Sequence, residues 1–252
     1  MGEYTTCVRS VERLSAADRA ALVALYLAHY DGSSREIVLE DLATKNEVLL
    51  LHHDGELVGF TTLELYERDW HGGRIGVVYS GDTVVARAHW GQQALAFRWI
   101  ARIGELHAQH PERHLYWLLI VKGHRTFKFL PAFGKSFFPH WAIDRSDLEP
   151  LARALASEKF GADYNPVTGC VEPAASRGHV KPEIAQPTSS ERGRAAVEFF
   201  LARNPHYRLG HELVCLCELD ESNMRPLTRR IFTRAASTHS AALAEPAAAS
   251  HS

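Results

Sequence analysis

The chain has 252 residues, 46% hydrophobic and 23% charged, an ordinary composition for a globular fold with a sizeable core. Its 28 basic and 30 acidic side chains leave a formal net charge of -2, which excludes a global basic field for nucleic acid. No apolar run approaches about 18 residues and the N-terminus has no apolar stretch of the signal-peptide kind, so a cytoplasmic protein without a membrane span is expected.

TTCVRSVERL alternates modestly and opens the chain as a strand. Ser15 to Asp18 then reads as a helix start, a hydroxyl cap with an acid three residues on, and Ala21, Leu22, Leu25, Tyr26 and Tyr30 follow at helical spacing. A second short helix is predicted around Ile37 to Ala43. EVLLLHH and ELVGFTTLEL are strand runs joined by Asp54-Gly55, a dipeptide that tolerates the positive φ of a two-residue hairpin turn. RIGVVYSGDTVV reads as the third strand of this meander, and Gly81 within it predicts a bulge or a close backbone approach. The strands are placed near 47–53, 57–66 and 74–85, with a helix over about 93–108.

HLYWLLIVKG is almost wholly apolar, as a strand buried on both faces would be. After it come a Phe-rich mixed segment, a helix over Asp147 to Phe160, an extended loop over 161–192, a helix stopped by Asn204-Pro205 and a late strand in HELVCLCEL. The division is a core over 1–145, a C-terminal elaboration of helices with a late sheet strand over 146–234, and a disordered Ala, Ser, His and Thr tail over 235–252. Cys215 and Cys217, two apart on a strand, share a face and read as small buried hydrophobes. No CxxC or HExxH occurs and His52-His53 would point to opposite strand faces, so no metal is expected.

The order of a meander, a long helix and a buried strand resembles the GCN5-related N-acetyltransferase (GNAT) superfamily over roughly residues 5–140, with a strand at 211–219 completing the sheet. The resemblance implies an α/β (α+β) fold with a mixed, mostly antiparallel sheet flanked by helices. It implies transfer of an acyl group from acetyl-CoA or a longer acyl-CoA directly to a small-molecule amine, without a metal. The alternative is a catalytically silent member that binds a thioester or another small ligand.

In that family the loop entering the long helix holds the CoA pyrophosphate on backbone N–H groups, since bare helix ends suit an anion. The corresponding stretch here is VVARAHWGQQAL, so the resemblance places the donor on Val85, Arg87, His89, Gly91, Gln92, Gln93 and Ala94. Aligned on Gly91, Trp90 stands where the family has Arg, and Gln93 and Leu95 occupy the two later glycine or alanine positions. The other reading of Ala88 to Gln92 is a polar strand-to-helix turn.

Direct transfer needs a base for the ammonium and an acid for the leaving thiolate. Asp82 on the third meander strand is the first candidate base and Glu64 on the second the next; the bland readings are an Asx turn and a solvated strand residue. The family's Tyr after the buried strand is absent from HRTFKFLPAFGKSFF, which leaves Tyr79, Tyr116 or His124 as substitutes, or a thiolate that departs unaided. The cluster from Phe127 to Trp141 is either core packing or, in part, the wall of a tunnel for an acyl chain longer than acetyl or for an apolar acceptor.

Overall fold

The computed structural model describes residues 2–244 and builds one eight-stranded sheet with helices on both faces. β1 (Tyr4–Ser10) is followed by α1 (Ala16–Leu27), the short β2 (Tyr30–Asp31) and α2 (Arg35–Ala43). The meander is β3 (Glu47–His53), β4 (Glu56–Trp70) and β5 (Gly73–Val85), and α3 (Ala94–Gln109) leads into β6 (Leu115–Val121). Two short helices, α4 (His124–Phe127) and α5 (Phe129–Phe133), precede α6 (Glu149–Phe160). The segment expected as an extended loop carries β7 (Tyr164–Asn165), β8 (Cys170–Val171), β9 (His179–Val180) and α7 (Pro182–Ala185). Then come α8 (Ala195–Arg203), β10 (Glu212–Glu218) and α9 (Pro226–Ala244).

Local chemistry explains the early elements. Ser15 accepts from the Asp18 amide while Asp18 accepts from that of Ser15, closing the N-terminus of α1. Asp54 and Gly55 have φ of 49° and 87°, so the turn between β3 and β4 is the left-handed kind that the dipeptide predicts. The strands of the meander are longer than their apolar cores, because exposed turn residues extend the ladders.

Strand order is β1-β3-β4-β5-β6-β10-β8-β7, and every neighbouring pair is antiparallel except β5 with β6. The residues of 146–234 therefore extend the sheet of the core itself, with β10 on the β6 edge. One face carries α3, α4, α8 and α9 over Leu63, Val78, Leu119 and Cys215; the other carries α1, α2 and α6.

The disordered tail expected from residue 235 is corrected in part. Residues 235–244 continue α9, which packs along α3, and residues 245–252 lie outside the described residues. Phe232, 1% exposed, anchors that helix.

Cys170, Cys215 and Cys217 are buried, and burial pushes the thiols of Cys170 to about 11, of Cys217 to about 12 and of Cys215 well above its ordinary value. Only the half-buried Cys7 is then expected to react with a thiol reagent in the native protein, against four after denaturation. Native labelling at more than one site would contradict this packing.

Candidate active site

The site is organised by one irregularity in β5. In the β4–β5 ladder Thr61 pairs with Thr83 and Leu63 with Ser80, so Thr62 alone faces Gly81 and Asp82. This is the bulge expected at Gly81. Gly81 is needed for closeness as well, because a Cβ there would lie 2.5 Å from Thr62 Oγ1 and 2.6 Å from Lys45 Cε. The extra residue changes which side of the sheet follows. Tyr79 faces α6 and Ser80 faces α3; without the bulge Asp82 would face α3 too, yet it shares a cavity wall with Tyr79.

A second irregularity lies between β5 and β6. Their parallel ladder runs from Gly76 and Leu115 to Ser80 and Leu119 and stops, although β5 continues to Val85 and β6 to Val121. The strands splay there, and a cavity of about 700 Å³ occupies the α3 side of the opening. At its mouth are Val85, His89, Gly91, Gln92 and Gln93, and on its floor Thr83 and Ser80. Ser80 Oγ accepts from the indoles of Trp117 at 2.9 Å and Trp99 at 3.3 Å, so both rings have their N–H groups satisfied.

The mouth is part open and part closed to an anion. Gly91 has φ of 91°, a backbone shape that side chains rarely adopt. Among the described residues no hydrogen bond is made by the amides of Gly91, Gln92 or Gln93. The amides of Ala94 and Leu95, by contrast, donate to Gln92 Oε1 at 2.7 and 3.4 Å, so Ala94 is bonded within the loop. Arg87 is exposed, does not line the cavity and sits over the Trp90 ring at 5.9 Å. Trp90 in turn donates to Val85 O at 2.8 Å, and Tyr4 Oη holds His89 Nδ1 at 2.9 Å.

Across the sheet lies a smaller cavity of about 130 Å³. Asp82 stands in its wall with Tyr26, Tyr79, Lys122 and Glu212. Tyr30, Thr83 and Thr126 line both cavities, so the two meet at the splay. The neighbouring charges are paired among themselves, Lys45 with Asp41 at 2.7 Å and Lys122 with Glu212 at 3.5 Å. The Asp82 carboxylate makes no hydrogen bond or ion pair among the described residues. Protein surrounds it, but its surface opens on the cavity.

Burial, then the nearby Asp41 carboxylate, raises Asp82 from an ordinary 3.8 to about 7. Burial opposes the charge of Lys122, but Glu212, Tyr26 and Asp82 outweigh it and hold the ammonium above its ordinary range. Burial also pushes Tyr79 well above 10, so its hydroxyl keeps its proton.

The other candidates separate. Glu64 lies outside the lining of the smaller cavity and is bound by Lys159 at 2.5 Å. Tyr116 lines neither cavity. His124 lines the large cavity, is 1% exposed, and its Nδ1 has no partner; burial and then Arg125 lower its pKa, so it is neutral at pH 7. The aromatic cluster divides too, with Phe127 and Phe137 in the core and Phe129 and Phe133 on the wall of the large cavity.

Sequence reasoning missed Lys122 and Glu212, which line the smaller cavity. Each is the charge bounding an apolar strand, and the two come together only once Val121 is paired with Leu213. It also missed Glu191, which binds Arg125, Lys128 and His124 beside the large cavity. Burial opposes that carboxylate's charge, but Lys128 and Thr188 hold it well below the ordinary range.

No protein-family profile matches the chain, and no curated protein matches it by sequence. Among solved structures it is similar to a GNAT family N-acetyltransferase of Escherichia coli in complex with CoA, at 14% identity and a TM-score of 0.37, over 52% of this chain and 69% of that one. It is similar to a GCN5-related N-acetyltransferase of Kribbella flavida at 11% identity and a TM-score of 0.38, over 53% of this chain and 34% of that one. The same values of 11% and 0.38 hold for a conserved Enterococcus faecalis protein described as a probable N-acyltransferase, over 53% of this chain and 33% of that one. The chain thus spans about a third of the length of the last two.

Proposed function

We propose that the protein is an acyl-CoA-dependent N-acyltransferase that passes an acyl group directly from a thioester to a small-molecule amine. The observation that carries this reading is the meeting of two cavities at the β5–β6 splay, with the unpaired Asp82 carboxylate on one side and free loop amides on the other. The donor arm enters past Gly91 to Gln93, and the thioester sits at the splay beside Thr83. The acceptor enters from the α1 and α2 face as an ammonium, which the unpaired carboxylate attracts.

Asp82, ionised above about pH 7, removes a proton from the ammonium, directly or through one water. The neutral nitrogen attacks the thioester carbonyl, and the tetrahedral adduct collapses with cleavage of the C–S bond. The amide nitrogen gives up its second proton as the thiolate leaves; the thiolate takes a proton from Tyr79 or water, and the nitrogen's proton restores that donor, so the amide and the free thiol are released with one proton left on Asp82. Tyr79 shares the cavity with Asp82 and keeps its proton, as Tyr26 and Tyr30 do, whereas His124 is neutral on the donor side. One observation favours the silent-binder alternative: Gln92 Oε1 already occupies the Ala94 and Leu95 amides that would otherwise receive phosphate.

Binding of CoA and acetyl-CoA to the native state should raise the melting temperature, by about 2.7 kcal/mol of stability at a hundredfold excess over Kd. Gly91→Val, at an exposed loop site where β-branching conflicts with the backbone, should keep the fold and lose most of that shift. Absence of any shift with either ligand would refute the donor site.

A further inference from the structure

The large cavity reaches past the point where β5 and β6 part. In the acyl-transfer reading the thioester lies at the splay, where Thr83 and Thr126 open on both cavities. The cavity does not end there. It continues to Trp117, which pairs with Val78, two rungs inside the closed part of the β5–β6 ladder. At about 3.3 Å per residue, that is roughly 7 Å past the last pair at Ser80 and Leu119.

This inner end has a different chemistry from the mouth. Its walls are Trp99 and Ile100 of α3, Trp117 of β6, Phe133 of α5, and Leu227 and Thr228 of α9. The two indole N–H groups that could make it polar are turned to account by Ser80 Oγ. Trp99, Trp117 and Phe133 lie with ring centroids 4.5 to 5.8 Å apart and present a nearly continuous aromatic wall. A narrow apolar void continues between Trp99, Phe133 and Met224. A phosphate, sugar or amine would lose its hydration here and find no charged partner among these walls. A hydrocarbon would gain by leaving water.

Resting on the acyltransferase reading, we infer that this inner end is an acyl-chain subsite and that the donor carries a linear aliphatic acyl group longer than acetyl. The thioester carbonyl stays at the splay, and the chain runs beneath the closed ladder toward α9. The same walls set the upper limit, because the chain meets α9 at the buried Thr228, 5% exposed, beyond which only the narrow void remains.

Calorimetric titration of the full chain with CoA, acetyl-CoA, butyryl-CoA, hexanoyl-CoA, octanoyl-CoA and palmitoyl-CoA tests this. Each added methylene that fits should tighten Kd by up to about fourfold, with the gain ceasing once the chain meets α9. Thr228→Phe, which fills the far end, should bring the ratio of acetyl-CoA to octanoyl-CoA Kd close to one. Phe133→Ala acts in the opposite sense and should move the best chain to a greater length, which keeps the test decisive should Thr228→Phe fail to fold. Equal affinity for all acyl-CoA lengths, with CoA bound, would overturn the subsite and leave the donor site standing. Failure of every ligand, CoA included, would overturn both.

Discussion

Asp82→Asn should lower turnover by about 10²- to 10⁴-fold, the usual scale for removing general-base help, while leaving donor binding and the fold in place. Thiol release from an acyl-CoA in the presence of a panel of primary amines measures it. The carboxylate is unpaired among the described residues and opens on the smaller cavity, so the amide keeps its shape and loses only its basicity. Glu64→Gln should do little by comparison, because that carboxylate is committed to Lys159. If Glu64→Gln abolishes thiol release and Asp82→Asn does not, the base has been placed on the wrong strand.

The same residue predicts two pH effects of opposite sense. Activity should rise with pH through about 7 as Asp82 loses its proton, and Asp82→Asn should flatten that limb. Stability should move the other way. Between the ordinary 3.8 and about 7 the folded state holds the Asp82 proton and the unfolded state does not, so unfolding releases it and stability falls as pH rises through that window. Asp82→Asn removes the contribution, and its melting temperature relative to wild type should be higher at pH 8 than at pH 4. An unchanged difference between the two pH values would show that the carboxyl is not raised.

What the sequence revealed of this site was local. Gly81 marks its own bulge, because no other residue lets the strand pass so close to Thr62, and the bulge is what turns Asp82 toward the smaller cavity. Asp54-Gly55 marks its turn for the same kind of reason. The loop at 87–93 is legible as an entrance to a helix, but the resemblance counts Arg87, which lies on the outside, among the donor contacts and gives no sign that Gln92 would cap the helix. The four charges around Asp82 belong to three elements far apart in the chain. Asp41 lies in α2 and Lys45 just after it, Lys122 follows β6 and Glu212 begins β10, and no spacing rule connects them before the sheet order is known. α9 was hidden for another reason. Its apolar anchors Leu227, Ile231 and Phe232 lie in its first turns, the Ala, Ser, Thr and His residues after 234 add no large apolar group until Leu243, and its docking depends on a partner with no side chain.

That partner is Gly104, and its replacement should have the largest effect on stability. A Cβ at Gly104 would lie 2.3 Å from the carbonyl oxygen of Phe232 and 3.1 Å from its carbonyl carbon. Both are backbone atoms, so no rotamer change relieves the contact; α9 must move away from α3. That movement would withdraw Phe232 from the core and loosen the wall formed by Leu227 and Thr228. Gly104→Val should therefore cost about 3 kcal/mol or more, the upper part of the usual range for overpacking. At this chain length that corresponds to a fall in Tm of roughly 6–12 °C. Ala108→Val, one turn further along α3, introduces the same branched residue into the same helix and serves as the reference, with an expected loss of about 0.5 kcal/mol. Gly104→Val should also erase the dependence of Kd on acyl length, since α9 closes the inner end of the cavity. If Gly104→Val and Ala108→Val lose the same small amount, the α3–α9 contact is not the close one described, and α9 does not form the wall that limits the acyl chain.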